Sequence, residues 1–331
     1  MRVISYAQNQ EDVVLARLVS RIPIGRFVDV GAGHPILENV TYALYLRGWR
    51  GINIEPMERE AALLRDLRPE DTTKQIAAGA RPGRLTLFEA PMENRGATTS
   101  SRAIVERYEQ AGQQFRPFDV DVLPLRSIVG DQDEIHVLKI DVEGMEAEVI
   151  AGADLATMRP WVLVIEATFP NTAESSAGAW EPSVVAAGYG PALFDGLNRF
   201  YVRADLPEIQ ALLSVPANVF DAWVPHELSV CRDSLKEAER FAGDLTARLE
   251  EATAYAESLR AELDTMAAKA VEREQFAWAL QREREDAAPH IEVLRARAAQ
   301  VEVLAHQLAA MQRELDHAKG ELGRLQRERV E

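Results

Sequence analysis

The chain has 331 residues, 47% of them hydrophobic, enough to bury a core and to form about one or two domains. Its formal net charge of -16 is spread without a basic run, which argues against nucleic acid and anionic membrane surfaces and for a small or neutral partner. A single cysteine, Cys231, excludes an intramolecular disulfide, the opening MRVISYAQNQEDVV lacks the pattern of a signal peptide, and no run of about 18 apolar residues occurs, so the expectation is a cytoplasmic protein with no transmembrane segment.

Up to residue 228 apolar strand-like runs alternate with helical patterns, which predicts an α/β domain whose sheet is mostly parallel and covered by helices on both faces. The first strong strand is GRFVDVGAGHP. Its apolar run Phe27, Val28 and Val30 ends at Asp29 and then Gly31, Ala32 and Gly33, a turn that lets a ligand approach the backbone. Val40, Ala43, Leu44 and Leu46 in NVTYALYLRGW have helical spacing, with Gly48 closing the helix, and the strand GINIEP then delivers Glu55 at its tip. Strand, glycine turn, helix, strand and acid make the grammar of a nucleoside site, because a carboxylate accepts hydrogen bonds from two neighbouring ribose hydroxyls. The dinucleotide pattern asks for a third glycine where this chain has Ile36, which disfavours NAD or FAD. A two-glycine turn followed by an acid suits S-adenosylmethionine, which has a ribose and no phosphate.

The segment VLKIDVEGMEAEVIAG begins as a buried strand and then sets Asp141, Glu143, Glu146 and Glu148 within eight positions. Glu146 and Glu148 read as the acidic start of a helix. Asp141 and Glu143 emerge at the carboxyl end of a central strand, where carboxylates can pair with a sulfonium, orient a hydroxyl or take its proton. The segments QAGQQFRPFDVDV and PNTAESSAGAWEP read as polar loops over the acceptor side. Trp161 and Trp180 suit core packing better than stacking on a sugar.

From Leu235 a seven-residue repeat sets Ala242, Leu249, Ala256, Leu263 and Ala270 in one column and Ala238, Leu245, Ala252, Leu259 and Met266 in the next. Leu294, Val301, Leu308, Leu315 and Leu322 resume it. This predicts a helical coiled-coil tail over 229–331, broken near Pro289, whose seam is covered by a second copy, another protein or its own second half.

The stretches SYAQNQEDVVL (5–15), FVDVGAG (27–33), RGWRGINIEP (47–56), VLKIDVEGME (137–146), VIEATFPN (164–171) and AWEPSVVAAGYGPALFDGLNRFYV (179–202) occur in this order, and together they resemble the FkbM family of methyltransferases. The resemblance covers nearly all of 1–225. It implies a class I, Rossmann-like, doubly wound sheet with a closing antiparallel hairpin, S-adenosyl-L-methionine as cofactor, and O-methylation of a sugar (surface glycan, glycolipid or nucleotide sugar) or of a secondary metabolite. Matched to the family's motifs, Asp29, Gly31, Gly33, Glu55 and Asp141 are the cofactor-binding candidates. Asp141, Glu143, Glu166 and His34 are the catalytic ones, left unranked, and Asn198 and Arg199 are possible acceptor contacts. His34 and Arg126 depart from the pattern, each standing where the family more often has an acid. Mg2+ is compatible with three carboxylates, but no spacing demands it, and no metal ligand is designated. The alternative is an inactive cofactor-fold module whose coiled coil scaffolds a glycan-assembly complex.

Overall fold

The computed structural model describes every residue except 1–2, 92–97, 111, 132–133, 170–171, 173, 278–282 and 329–331. Pro170 and Asn171 of the VIEATFPN stretch therefore lie outside the described residues. The chain divides into two compact units, Met1–His226 and Glu227–Glu331, beside the change of composition at residue 228.

The first half of the globular unit contains β1 (Val3–Ser5), α1 (Glu11–Ala16), β2 (Arg26–Val30), α2 (Tyr42–Tyr45), β3 (Arg50–Ile54), α3 (Glu58–Leu67), β4 (Thr72–Lys74), β5 (Ala77–Gly79), β6 (Gly83–Glu89) and α4 (Arg102–Gln110). Its second half contains β7 (Arg116–Pro124), α5 (Leu125–Val129), β8 (Val137–Ile140), α6 (Glu146–Ala151), α7 (Leu155–Met158), β9 (Val162–Glu166), α8 (Glu181–Ala186), β10 (Tyr189–Phe194), β11 (Asn198–Arg203), α9 (Pro207–Leu213) and β12 (Trp223–Pro225). The main sheet has seven strands in the order β10-β11-β9-β8-β2-β3-β4. β9, β8, β2, β3 and β4 are parallel, and β11 runs against both of its neighbours, so the closing hairpin expected from FDGLNRFYV is present. This is the Rossmann-like sheet that the resemblance implies.

Alternation along the strands explains why both faces are buried. Val28, Val30, Leu138, Ile140, Leu163 and Ile165 pack into one hydrophobic layer. Phe27, Val137, Val162 and Val164 pack into the other. A period of two on strands covered on both sides leaves no polar stripe, and the runs read as continuously apolar. Gly31, Glu55, Asp141 and Glu166 all stand at the carboxyl ends of these strands, because parallel strands deliver their tips to one edge of the sheet.

The polar segment read as an acceptor loop is different. Residues 116–124 form β7, which pairs with β6 antiparallel and β5 parallel in a separate three-stranded sheet. The alternation of Phe118, Val120 and Val122 with polar residues is a strand signal that the flanking Gln-rich stretch obscured. Trp180 is buried and meets Tyr201 edge-on, and Trp161 donates to Glu134 from beside His136, so both tryptophans serve packing.

The second unit consists of α10 (His226–Ala277) and α11 (Glu283–Glu328). Residues 278–282 lie outside the described residues, and Pro289, near which a break was expected, falls within α11. Seven residues into a helix a proline removes one hydrogen bond near the end, a local cost that the rest of a 46-residue helix absorbs. Arg297 pairs with Glu262 at 2.5 Å across 35 positions of sequence. Continuous helix would hold them roughly 50 Å apart, so the chain reverses between α10 and α11. That pair sets Leu315 about level with Leu245, and both are buried, as are Leu235 and Leu259. Among the described residues no helix is long and apolar enough to cross a membrane.

Candidate active site

The site is built first from the turn after β2. Gly31 has φ +72°, and its N–H donates to the Ile54 carbonyl at 2.9 Å, stitching the turn to the tip of β3. A Cβ at Gly31 would lie 1.8 Å from the Asp141 carbonyl oxygen, so glycine is required both by conformation and by the close approach of two strand tips. Gly33, at φ +57°, donates its N–H to Glu55 Oε2 at 2.7 Å, and Glu55 Oε1 accepts from the Met57 N–H at 2.9 Å. Both oxygens of this buried carboxylate are thereby aimed by backbone. Burial, opposed by those two hydrogen bonds, pushes its pKa up to about 7.

Beneath the turn lies a polar row inside the sheet. Asp29 and Lys139 are register partners on β2 and β8, with Lys139 Nζ 3.3 Å from Asp29 Oδ1, 3.4 Å from Asp141 Oδ2 and 2.5 Å from the Gly31 carbonyl. Burial disfavours the ammonium charge, but Asp29 and Asp141 outweigh it and hold the lysine pKa above its ordinary value. Thr41 donates to Asp29 at 2.7 Å, and the fully buried Arg68 bonds Thr41, Asn39 and Asp71. Asp29 is therefore a fully buried anchor of the turn and does not line the cavity. Lys139, which sequence reasoning passed over, links three parts of the site. Its signal was present: a lysine inside the strand VLKI, whose other residues are all apolar, needs buried anions to stay charged.

The third layer is acidic. Glu143 sits at φ +53° and Gly144 at +101°, and Glu146 folds back to accept from the Val142 and Gly144 N–H groups, fixing the turn after β8. This agrees with reading Glu146 as part of a helix start. The turn brings Glu143 beside Asp141, and β9 delivers Glu166 from the next strand. The three carboxyls each offer an oxygen within 4.8 Å of the others. Burial first, and then the neighbouring carboxylates, raise the pKa of both Glu143 and Glu166.

A cavity runs over these layers, lined by Gly31, Gly33, His34, Glu55, Met57, Ile76, Ala78, Lys139, Asp141 and Glu143, with Gln8 contributed by the N-terminal segment. His34 Nδ1 accepts from the Ile36 and Leu37 N–H groups at 3.1 and 3.0 Å, so the neutral ring carries its proton on Nε2 and its accepting nitrogen is engaged by the loop. The remaining candidates stand apart from the cavity. Asn198 donates to Glu11 at 2.6 Å, Arg199 pairs with Glu181 at 2.6 Å, and Arg126 closes the end of α5 on Gly130 and Asp131.

Residues 29–191, which contain every layer of this site, match the family model described as the methyltransferase FkbM domain. The globular unit is an FkbM-family methyltransferase domain. No curated protein matches the chain. Membership gives the cavity its ligand class, since the FkbM family implies S-adenosylmethionine as methyl donor, and the residues present fit it. The site offers a glycine turn that admits close approach, a carboxylate at the tip of β3 and further acidic groups, which is chemistry compatible with a ribose diol and a sulfonium cation.

Proposed function

We propose that the globular unit is an active S-adenosylmethionine-dependent O-methyltransferase acting on a hydroxyl of a sugar or a secondary metabolite. The observation that carries this reading is the convergence of the glycine turn, Glu55, Asp141 and Glu143 around one cavity at one edge of the sheet, with Glu166 close behind the last two. When bound, S-adenosylmethionine supplies an electrophilic methyl group: the acceptor oxygen forms a bond to carbon, the carbon–sulfur bond breaks, and its electron pair stays on sulfur.

The chain's own residues do the rest. Gly31 and Gly33 leave the backbone bare where the nucleoside lies, and Glu55 holds the ribose diol. Lys139 fixes the Gly31 turn and Asp141 relative to one another. A hydroxyl must lose its proton as it attacks, and in this reading Glu143, whose carboxyl lines the cavity, takes it, with Asp141 and Glu166 beside it. The His34 ring, bonded to its own loop through Nδ1, serves as a donor in this scheme. The exposed, free Cys231 fits a reducing compartment and a cytoplasmic location. The coiled-coil tail is proposed to hold the enzyme to a second copy or to a partner protein.

The test is calorimetric titration of S-adenosylmethionine and of its demethylated product into the full chain and into Glu55→Gln. Binding by the wild type, weakened about tenfold or more in the variant, is expected from loss of one charged hydrogen bond to the ribose. A wild-type protein that binds neither nucleoside refutes the reading and leaves the scaffold alternative.

A further inference from the structure

The trio Asp141, Glu143 and Glu166 is more than the removal of one proton requires. Two of its members come from the tip of β8 and one from the tip of β9, and their nearest oxygens all fall within 4.8 Å of one another. Among the described residues Lys139 is the basic side chain ion-paired with the trio, and it reaches Asp141 while also serving Asp29 and the Gly31 carbonyl. Like charges at this spacing repel unless protons or a cation lie between them.

Glu166 adds a second observation. Its side chain belongs to the buried end of β9, with 8% of the residue exposed, and among the described residues no N–H or O–H donor reaches its Oε2, the carboxyl's own contact being with the Asp141 carboxyl inside the trio. Buried carboxylate oxygens are normally satisfied, because stripping one of water without replacement is costly. An unsatisfied oxygen on the inner wall, with Asp141 and Glu143 opening onto the cavity, has the form of a ligand set with one protected donor and two accessible ones.

From these two observations we infer that Asp141, Glu143 and Glu166 form a site for a hard divalent cation of the Mg2+ class. The donors are all carboxylate oxygens, which hard cations prefer and which soft or imidazole-seeking metals do not. Around Mg2+ or Mn2+ adjacent oxygens stand roughly 3.0 Å apart and opposite ones roughly 4.2 Å, and around Ca2+ roughly 3.4 and 4.8 Å, so three oxygens within 4.8 Å of one another close on such an ion by side-chain rotation. The remaining coordination positions face the cavity. There a hydroxyl oxygen of the acceptor takes one of them, is made more acidic by the cation and passes its proton to the carboxyl oxygen of Glu143 that does not hold the ion. The role of the site rests on the methyltransferase reading, whereas the binding of the cation does not.

The experiment uses the full chain and Mn2+ as the probe, followed by electron paramagnetic resonance and by calorimetry, with Mg2+ and Ca2+ as competitors and with S-adenosylmethionine binding measured in parallel. One Mn2+ per chain is expected, displaced by Mg2+, with affinity reduced about tenfold or more in Glu166→Gln. Glu143→Gln, whose side chain lies at the cavity and not in the sheet, gives the same loss if Glu166→Gln fails to fold. A wild type that binds S-adenosylmethionine but no Mn2+, or variants that bind Mn2+ as the wild type does, overturns the cation site and leaves the trio as a proton-sharing cluster. Mn2+ binding without any S-adenosylmethionine binding supports the site while removing the methyltransferase reading.

Discussion

Gly31→Ala tests the architecture of the site most directly, and Gly33→Ala is its control. Both glycines have positive φ, +72° and +57°, so an alanine at either position bears a conformational cost of about 1–2 kcal/mol. Only Gly31 has a second cost. Its added Cβ would lie 1.8 Å from the Asp141 carbonyl oxygen, whereas among the described residues nothing lies within 4 Å of a Cβ at Gly33. The obstacle is backbone at the end of a buried strand, so relief requires moving β2 and β8 apart by more than 1 Å against the Lys139 bridge. Overpacking of this kind adds about 1–3 kcal/mol. The difference between the two variants is then about 2 kcal/mol, which corresponds to about 1 M in the urea midpoint for a domain with a slope near 2 kcal/mol per M. Tryptophan fluorescence follows it well, because four of the five tryptophans lie before residue 226. Calorimetry should show S-adenosylmethionine affinity falling in Gly31→Ala more than in Gly33→Ala. Equal midpoints for the two variants would refute the argument from close approach.

Two further outcomes are expected. Glu11 and Glu55 are carboxyls whose pKa burial raises to about 7 from an ordinary 4.5, so the folded state binds their protons more tightly than the unfolded chain does. The stability they contribute is present below about pH 4.5 and is lost as pH rises to about 7; Glu55→Gln should therefore flatten the loss of ligand-free stability between pH 5 and 8, and parallel slopes for variant and wild type would contradict the burial argument. In the tail, nitroxide labels at positions 262 and 297, in a Cys231→Ala background and diluted with unlabelled chain, should keep a short distance in pulsed dipolar spectroscopy. Loss of that distance on dilution would mean that the pairing is between chains.

The polar row shows why part of this site was legible and part was not. Gly31, Gly33 and Glu55 could be read from order along the chain, because a strand, a tight turn and an acid at the next strand tip are local features that a parallel sheet brings to one edge. The partition between faces was not local. Asp29 precedes the turn in sequence and looks like part of the cofactor motif, yet it shares the parity of Phe27 and points into the opposite layer, where only a cross-strand partner, Lys139, reveals its role. Likewise Asn198 and Arg199 look available in the hairpin sequence, but Glu11, 187 positions away, and Glu181, 18 positions away, already engage them.

Lys139 is bonded to the Gly31 carbonyl on the nucleoside side and to Asp141 on the acidic side, with Asp29 as the buried counter-charge that keeps it in place. A displacement of the glycine turn is therefore transmitted to Asp141 through one side chain, and the Cβ clearance at Gly31 is set by the carbonyl of that same Asp141. The Lys139 bridge and the Asp141 N–H, which donates to the Val30 carbonyl at 3.1 Å, thus fix the spacing between the turn and the carboxylate trio. In-line transfer needs such a fixed spacing, because an error of about 1 Å between donor and acceptor positions costs orders of magnitude in rate. A buried lysine in the middle of an apolar strand is expensive on its own account, and the spacing it sets is the physical reason for that expense.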